Sequence, residues 1–130
     1  MCIRDRATQL RDRWAAEVAK YNAMLADIPG TLARLNSEIA ALDLLIATNP
    51  PNKTDLQNER DGKDAERKLA GDVAGLTAVR DKAVAELASA QTALDNAVAA
   101  QTAASAAYST AQTSYQSAIS NFVNLSLIHI

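Results

Sequence analysis

The stretch that decides the fold is residues 14–46, WAAEVAKYNAMLADIPGTLARLNSEIAALDLLI, in which apolar residues return in steps of four and three. The residues that keep this rhythm are Trp14, Val18, Tyr21, Leu25, Ile28, Leu32, Leu35, Ile39, Leu42 and Ile46. Such spacing places them along one side of an α-helix, as in the seam of a coiled coil. We therefore predict that residues 7–48 form a first helical arm.

Pro29 and Gly30 interrupt this first arm. Proline removes one helical hydrogen bond, and glycine costs about 1 kcal/mol relative to alanine inside a helix. Either one long helix kinks at residues 29–30, or two helices meet there at a tight turn. A turn would normally shift the phase of the apolar pattern. Because the phase is kept across residues 29–30, we favour the kink.

The first arm ends at residues 49–54, NPPNKT. Two consecutive prolines cannot continue a helix. Thr54 is followed three residues later by Gln57, which is the spacing of a helix-capping box. We expect residues 49–54 to form a hairpin loop and a new helix to begin at about Asp55.

The second helical arm is predicted to cover residues 55–95, and its heptad pattern continues beyond them. One column is mostly alanine: Leu69, Leu76, Ala83, Ala90, Ala97, Ala104, Ala111 and Ala118. The other column holds larger residues: Val73, Arg80, Leu87, Leu94, Gln101, Tyr108, Tyr115 and Phe122. Small side chains let two helix axes approach closer than the usual distance of roughly 8–10 Å. The sequence predicts an all-α fold: a long antiparallel helical hairpin or coiled coil, with an alanine-rich seam, a kinked first arm and an overhanging C-terminal helix.

Pairing the two arms across the loop predicts a hinge. In an antiparallel hairpin centred on this loop, facing residues have numbers that add to about 102, which places Ile28 near Val73. Four residues that weaken helices then lie at the same height: Pro29, Gly30, Gly71 and Gly75. We expect them to form a hinge or a close approach between the arms.

Residues 96–123 form an overhang in this arrangement, because the start of the first arm already pairs with residue 95. No Asp, Glu, Lys or Arg follows Asp95, and thirteen of the residues 96–123 are Asn, Gln, Ser or Thr. The overhang is too polar to span a bilayer, and its spacing predicts a helix about 42 Å long. Its aromatic residues recur every seven positions, at Tyr108, Tyr115 and Phe122, and we expect them to be oligomer contacts.

The two ends of the chain have a separate explanation. Residues 1–6, MCIRDR, and residues 124–130, which include LSLIHI, resemble translated sequencing-adapter read-through at the edges of reading frames assembled from environmental nucleic acid. Such segments do not belong to the natural protein and carry no information on its fold. We expect both ends to be non-native and the rest to belong to a larger parent chain.

The composition leaves little room for chemistry. Thirteen Lys and Arg against fifteen Asp and Glu give a net charge of −2, which offers no electrostatic case for binding nucleic acid. Cys2 and His129 lie in the suspect ends, so residues 7–123 have no thiol or imidazole for a nucleophile or an ordinary zinc site. We expect no catalytic, metal or cofactor site, no small-molecule substrate and no enzymatic activity.

Two functions fit these expectations. The first is a structural or assembly coiled coil, acting as a rod, spacer or oligomerisation element of a larger microbial or phage protein. Its partners would be further copies or the parent chain. The alternative is a helical-hairpin binding module, adaptor-like or chaperone-like, that grips a partner with its tip or hinge. Stable self-association would favour the first function, and a monomer with an exposed apolar face would favour the second.

Overall fold

The computed structural model describes residues 2–128, which form four α-helices and contain no strand. The helices are α1 (Ile3–Ala26), α2 (Ile28–Ala47), α3 (Lys53–Ala70) and α4 (Val73–Ile128). Helix accounts for 93% of these residues, so the all-α prediction is confirmed. Met1, His129 and Ile130, which fall in the two predicted non-native ends, lie outside the described residues.

The breaks between the helices are short. Alanine, the strongest helix former, supplies 28 of the 130 residues and keeps long stretches helical. α1 and α2 are separated by Asp27 alone, and α3 and α4 by residues 71–72. The longest break is residues 48–52, where Asn49 takes a positive φ of 53°. Asparagine tolerates this left-handed conformation better than most residues, which suits the end of α2.

The start of α3 differs from the expected capping box. The helix begins at Lys53, and the side chain of its N-cap residue, Asn52, makes no capping hydrogen bond. The Lys53 N–H donates to the Pro50 carbonyl at 3.1 Å, so the chain begins to coil directly after the two prolines. Thr54 is therefore already inside the helix, and the capping role expected for Thr54 and Gln57 is wrong.

The helices pack in two pairs, α1 against α4 and α2 against α3. Between α2 and α3, Lys63 Nζ lies 2.8 Å from Glu38 Oε2, and Arg60 Nε lies 3.0 Å from Asp43 Oδ1. Later residues of α3 thus meet earlier residues of α2, so these two helices run in opposite directions. At the far end of the other pair, Arg4 donates to Gln101 Oε1 at 3.0 Å.

Apolar burial lies between the two helices of each pair and at the junction where the pairs meet. The buried residues are Ala7, Met24, Leu35, Ile39, Leu42, Ala70, Leu76, Ala83, Ala90 and Leu94. Met24 is buried although it is outside the expected seam, while its seam neighbours Tyr21 and Leu25 are only partly buried. The break at Asp27 ends α1 just after these residues, so α1 is not bound to the rotational phase of α2.

Candidate hinge and assembly surface

The same capping pattern, Asp-x-x-Gly, stands at the break in each arm. Asp27 Oδ1 accepts the Gly30 N–H at 3.0 Å, and Asp72 Oδ1 accepts the Gly75 N–H, also at 3.0 Å. Each carboxylate thus satisfies a backbone donor that the first turn of a helix leaves unpaired. Its negative charge also lies at the positive end of the helix dipole. The two caps define the hinge, residues 27–30 and 71–75.

The glycine of each pattern leaves room for the capping carboxylate. A Cβ atom at Gly30 would lie 2.1 Å from Asp27 Oδ2, and one at Gly75 would lie 2.3 Å from Asp72 Oδ2. Both distances are far below van der Waals contact, so the carboxylate, which ends a flexible side chain, would have to move away from an added Cβ. At Gly71 the nearest atoms would be backbone carbonyl oxygens at an ordinary 3.6 Å.

The four predicted hinge residues all lie at these breaks, in different roles. Pro29 and Gly30 are in the first turn of α2, so the interruption falls at Asp27, before the proline. Proline is well tolerated in a first turn because its missing N–H would have no partner within the helix. Gly71 is the C-cap of α3, and Gly75 is in the first turn of α4.

Asp27 and Asp72 were missed by the sequence reasoning, which weighed only the residues that break helices. The signal was available in the chain. Each aspartate stands three residues before a glycine, at the start of a new apolar stretch, which is the place of an N-cap residue.

The apolar cluster at the hinge joins residues from all four helices. Met24, Leu35, Ala70 and Leu76 form its buried centre, and Leu35 and Leu76 have exposures of 0%. Val73, which the heptad pattern placed on the seam near Ile28, is 54% exposed as the first residue of α4. Since α4 starts afresh after Asp72, its inward face begins at Leu76.

An ion pair across the hinge shows that the two helix pairs meet at an angle. Lys20 Nζ of α1 lies 2.6 Å from Glu66 Oε1 of α3. In a straight hairpin, Lys20 would face residue 82, sixteen residues from Glu66, which is about 24 Å along the axis at 1.5 Å per residue. The two side chains together do not span that distance. The α1–α4 pair is therefore bent toward the α2–α3 pair on the side where α1 and α3 meet.

The electrostatics of this contact follow from its partners. The hydrogen bond from Lys20 to Glu66 raises the pKa of the Lys20 ammonium above its ordinary value. Partial burial raises the pKa of the neighbouring Tyr21 hydroxyl, and the nearby Glu17 carboxylate acts in the same direction. Lys20 also lies 5.9 Å from the centre of the Tyr21 ring, within the range of a cation–π contact.

Ion pairs also occupy the α2–α3 end of the molecule. Glu38 is bonded to Lys63 and Arg34, and these cations hold its pKa below the ordinary carboxyl value. Asp64 is paired in the same way with Lys68 and Arg67, which lowers its pKa. Among residues 2–128, no three Asp, Glu, His or Cys side chains form a group that could hold a metal ion.

The candidate assembly surface is the part of α4 that no other described helix covers. Every residue from 98 to 128 is exposed, although α4 continues unbroken to Ile128. Tyr108, Tyr115 and Phe122 are 70%, 68% and 71% exposed. The heptad spacing places these three rings on the same helix face as the buried Leu94. The predicted oligomer contacts thus form a bare aromatic ladder.

Neither the overhang nor any other helix within residues 2–128 combines the length and the apolar character that a membrane crossing needs. A comparison with protein-family models, curated proteins and solved structures found no match to the chain.

Proposed function

We propose that this chain is a non-enzymatic structural or assembly element: a bent, alanine-rich helical hairpin that serves as a rod or spacer and associates through its overhang. The observation that carries the proposal is the bare aromatic ladder of Tyr108, Tyr115 and Phe122 on the part of α4 after Asp95, which has no Asp, Glu, Lys or Arg. Several exposed aromatic rings on one helix face are typical of an interaction site, because removing apolar surface from water is favourable.

Burial along the first half of α4 supports the coiled-coil part of the proposal. Ala83 and Ala90, one heptad apart, are each only 2% exposed, and α1 is the helix that packs on this stretch. Alanine offers little apolar surface, so its near-complete burial requires the two helix axes to lie close together. A pair of closely packed helices suits a spacer, because a rod only two helices thick uses few residues for its length.

The chemistry of the side chains favours a structural role over catalysis. Residues 7–123 contain no cysteine or histidine. The carboxylates with displaced pKa values, Glu38 and Asp64, are held in ion pairs with lysine and arginine. Their pKa values are lowered, whereas a carboxyl group that acts as a general acid needs a raised one.

The alternative is a helical-hairpin binding module of the adaptor or chaperone type. One observation favours it: a shallow polar groove near the α2–α3 tip is lined by Asp43, Gln57, Asn58 and Arg60. A partner there would bind through hydrogen bonds and charges. The two functions differ in what the chain does alone, because only the assembly element associates without a second protein.

Sedimentation equilibrium of the whole chain tests the proposal. We expect an oligomer whose average mass falls toward that of the monomer when Tyr108, Tyr115 and Phe122 are all replaced by serine. The matched control is Leu44→Ser with Leu45→Ser, which removes exposed apolar side chains from α2. This control should leave the mass unchanged. If the unsubstituted chain stays monomeric at the highest soluble concentration, this result would contradict the assembly function and favour the binding module.

A further inference from the structure

The aromatic ladder of the overhang lies beside a column of alanines, and together they define which partner fits. We propose that the overhang binds the overhang of a second copy of this chain, antiparallel, with each aromatic ring packed on an alanine of the other copy. This inference rests on the proposed function and specifies its partner, direction and register.

The exposed face of the overhang continues an interface that exists inside the molecule. Ala83 and Ala90 are buried where α1 packs on α4. The same heptad column continues with Ala104, Ala111 and Ala118, which are all exposed. The change comes near Gln101, where the start of α1 makes its last contact through Arg4. One face of α4 is thus covered by a helix in its first half and bare in its second.

The two heptad columns of the overhang favour an antiparallel pair over a parallel one. In a parallel helix pair, identical heptad positions face each other, so rings would meet rings and alanines would meet alanines. Layers would then be alternately crowded and hollow, and both defects cost stability. In an antiparallel pair the two columns face each other. Every layer then holds one large and one small side chain, which is the arrangement that fills space evenly.

One register of the antiparallel pair covers every ring of the aromatic ladder. When facing residues have numbers that add to 226, Tyr108 meets Ala118, Tyr115 meets Ala111 and Phe122 meets Ala104. The two-fold axis between the copies repeats each of these contacts, so all three rings of both chains are covered by alanine. All of these layers lie beyond Gln101, on the part of α4 that α1 leaves free.

The exposed area and the absence of charge both favour such a pair. A buried aromatic side chain contributes roughly 200 Å², so three rings about 70% exposed in each copy offer about 800 Å² in a pair. The alanines and the flanking Ile119 bring the total toward the lower limit of stable interfaces, about 1,200 Å². Since no Asp, Glu, Lys or Arg follows Asp95, two identical overhangs approach without charge repulsion.

A matched pair of glutamate substitutions tests whether this face is the contact. Ala111→Glu places a carboxylate in the central layers, whereas Ala106→Glu places one on the opposite face of the same helix. We expect Ala111→Glu to weaken association about 100-fold or more in sedimentation equilibrium, because a buried charge without a partner is strongly unfavourable. Ala106→Glu should leave association unchanged. Circular dichroism verifies that both variants remain helical.

Disulfide formation tests the direction, with Cys2→Ser as the background. A mixture of Tyr108→Cys chains and Ala118→Cys chains should give a mixed disulfide dimer on mild oxidation. Ala118→Cys chains alone should not link, because the two cysteines of an antiparallel pair would lie about 15 Å apart along the axis. Disulfide bonds need Cα atoms within about 7 Å of each other.

The outcomes separate this inference from the proposed function. If the unsubstituted chain is monomeric, both the assembly function and the antiparallel pair are overturned. If the unsubstituted chain associates and the Ala111→Glu variant has the same average mass, the assembly function stands but the overhang is not its contact. Self-linking of Ala118→Cys without the mixed disulfide overturns the antiparallel direction.

Discussion

Replacing Gly75 by alanine should fail to stabilise the protein, whereas the same change at Gly62 should stabilise it. Both glycines are in helices, and glycine inside a helix is less stable than alanine by about 0.5–1 kcal/mol. At Gly62, in the middle of α3, an added Cβ meets nothing within 4 Å. At Gly75 it would lie 2.3 Å from Asp72 Oδ2 and displace the carboxylate that caps α4.

The expected magnitudes follow from these two environments. Gly62→Ala should raise the free energy of unfolding by about 0.5–1 kcal/mol, which is about 2–4 °C in Tm for a chain of this size. Gly75→Ala gains the same helix propensity but loses an N-cap, which costs about 0.5–2 kcal/mol. The net effect should lie between a gain of about 0.5 and a loss of about 1.5 kcal/mol, centred on a loss of about 0.5 kcal/mol.

A double-mutant cycle isolates the clash from the propensity. Asp72→Ala removes the cap, so Gly75→Ala made in that background should recover the full gain expected at Gly62, and the coupling should be about 1 kcal/mol. Urea unfolding followed by circular dichroism measures all four proteins at one concentration, since association would otherwise alter the apparent stability. If Gly75→Ala alone stabilises as much as Gly62→Ala, then the Asp72 carboxylate does not contribute to stability as the cap of α4.

Two further predictions concern the ion pairs. Lys20→Gln should lower the free energy of unfolding by less than about 1 kcal/mol, because the ion pair with Glu66 is partly exposed. It should nevertheless widen the distribution of spin-label distances between residues 44 and 99. An unchanged distribution would mean that the ion pair does not hold the bend. Glu38 and Asp64 have pKa values below their ordinary 4.5 and 3.8, so their stabilisation is complete above those values and is lost as pH falls through the lowered pKa. The Tm should therefore fall below about pH 4.5, and less steeply in Glu38→Gln than in the parent chain.

The helical class was predictable from the sequence because it depends on local properties. Steps of four and three, abundant alanine and scarce glycine and proline all favour the α-helix at each position. Helix ends were less predictable, because they depend on single hydrogen bonds. The Pro50 carbonyl accepts from Lys53 and starts α3 before Thr54, which no propensity scale foresees.

The bend was not predictable from periodicity. A heptad pattern records which face of each helix is apolar, but it carries no information on the direction in which a break turns the axis. The Lys20–Glu66 contact depends on that direction. The same breaks explain why Met24 is buried while Val73, placed on the expected seam, is exposed. Pro29, Gly30, Gly71 and Gly75 could be identified near the hinge because they disfavour helix, but the capping aspartates that set its geometry favour a helix start.

The distribution of charge gives the molecule two different ends. At the α2–α3 end, Glu38, Asp43 and Asp64 are paired with cations on the surface, so covering this end with another protein would remove water from several charged groups. At the other end, the overhang has no charged side chain to desolvate and exposes three rings. Association at the overhang therefore buries apolar surface without the cost of removing water from charged groups. Association at the α2–α3 end would have to offset that cost. Because α4 runs unbroken from the hinge to the overhang, the bend set by Asp27 and Asp72 would also fix the angle between the arms of two paired copies.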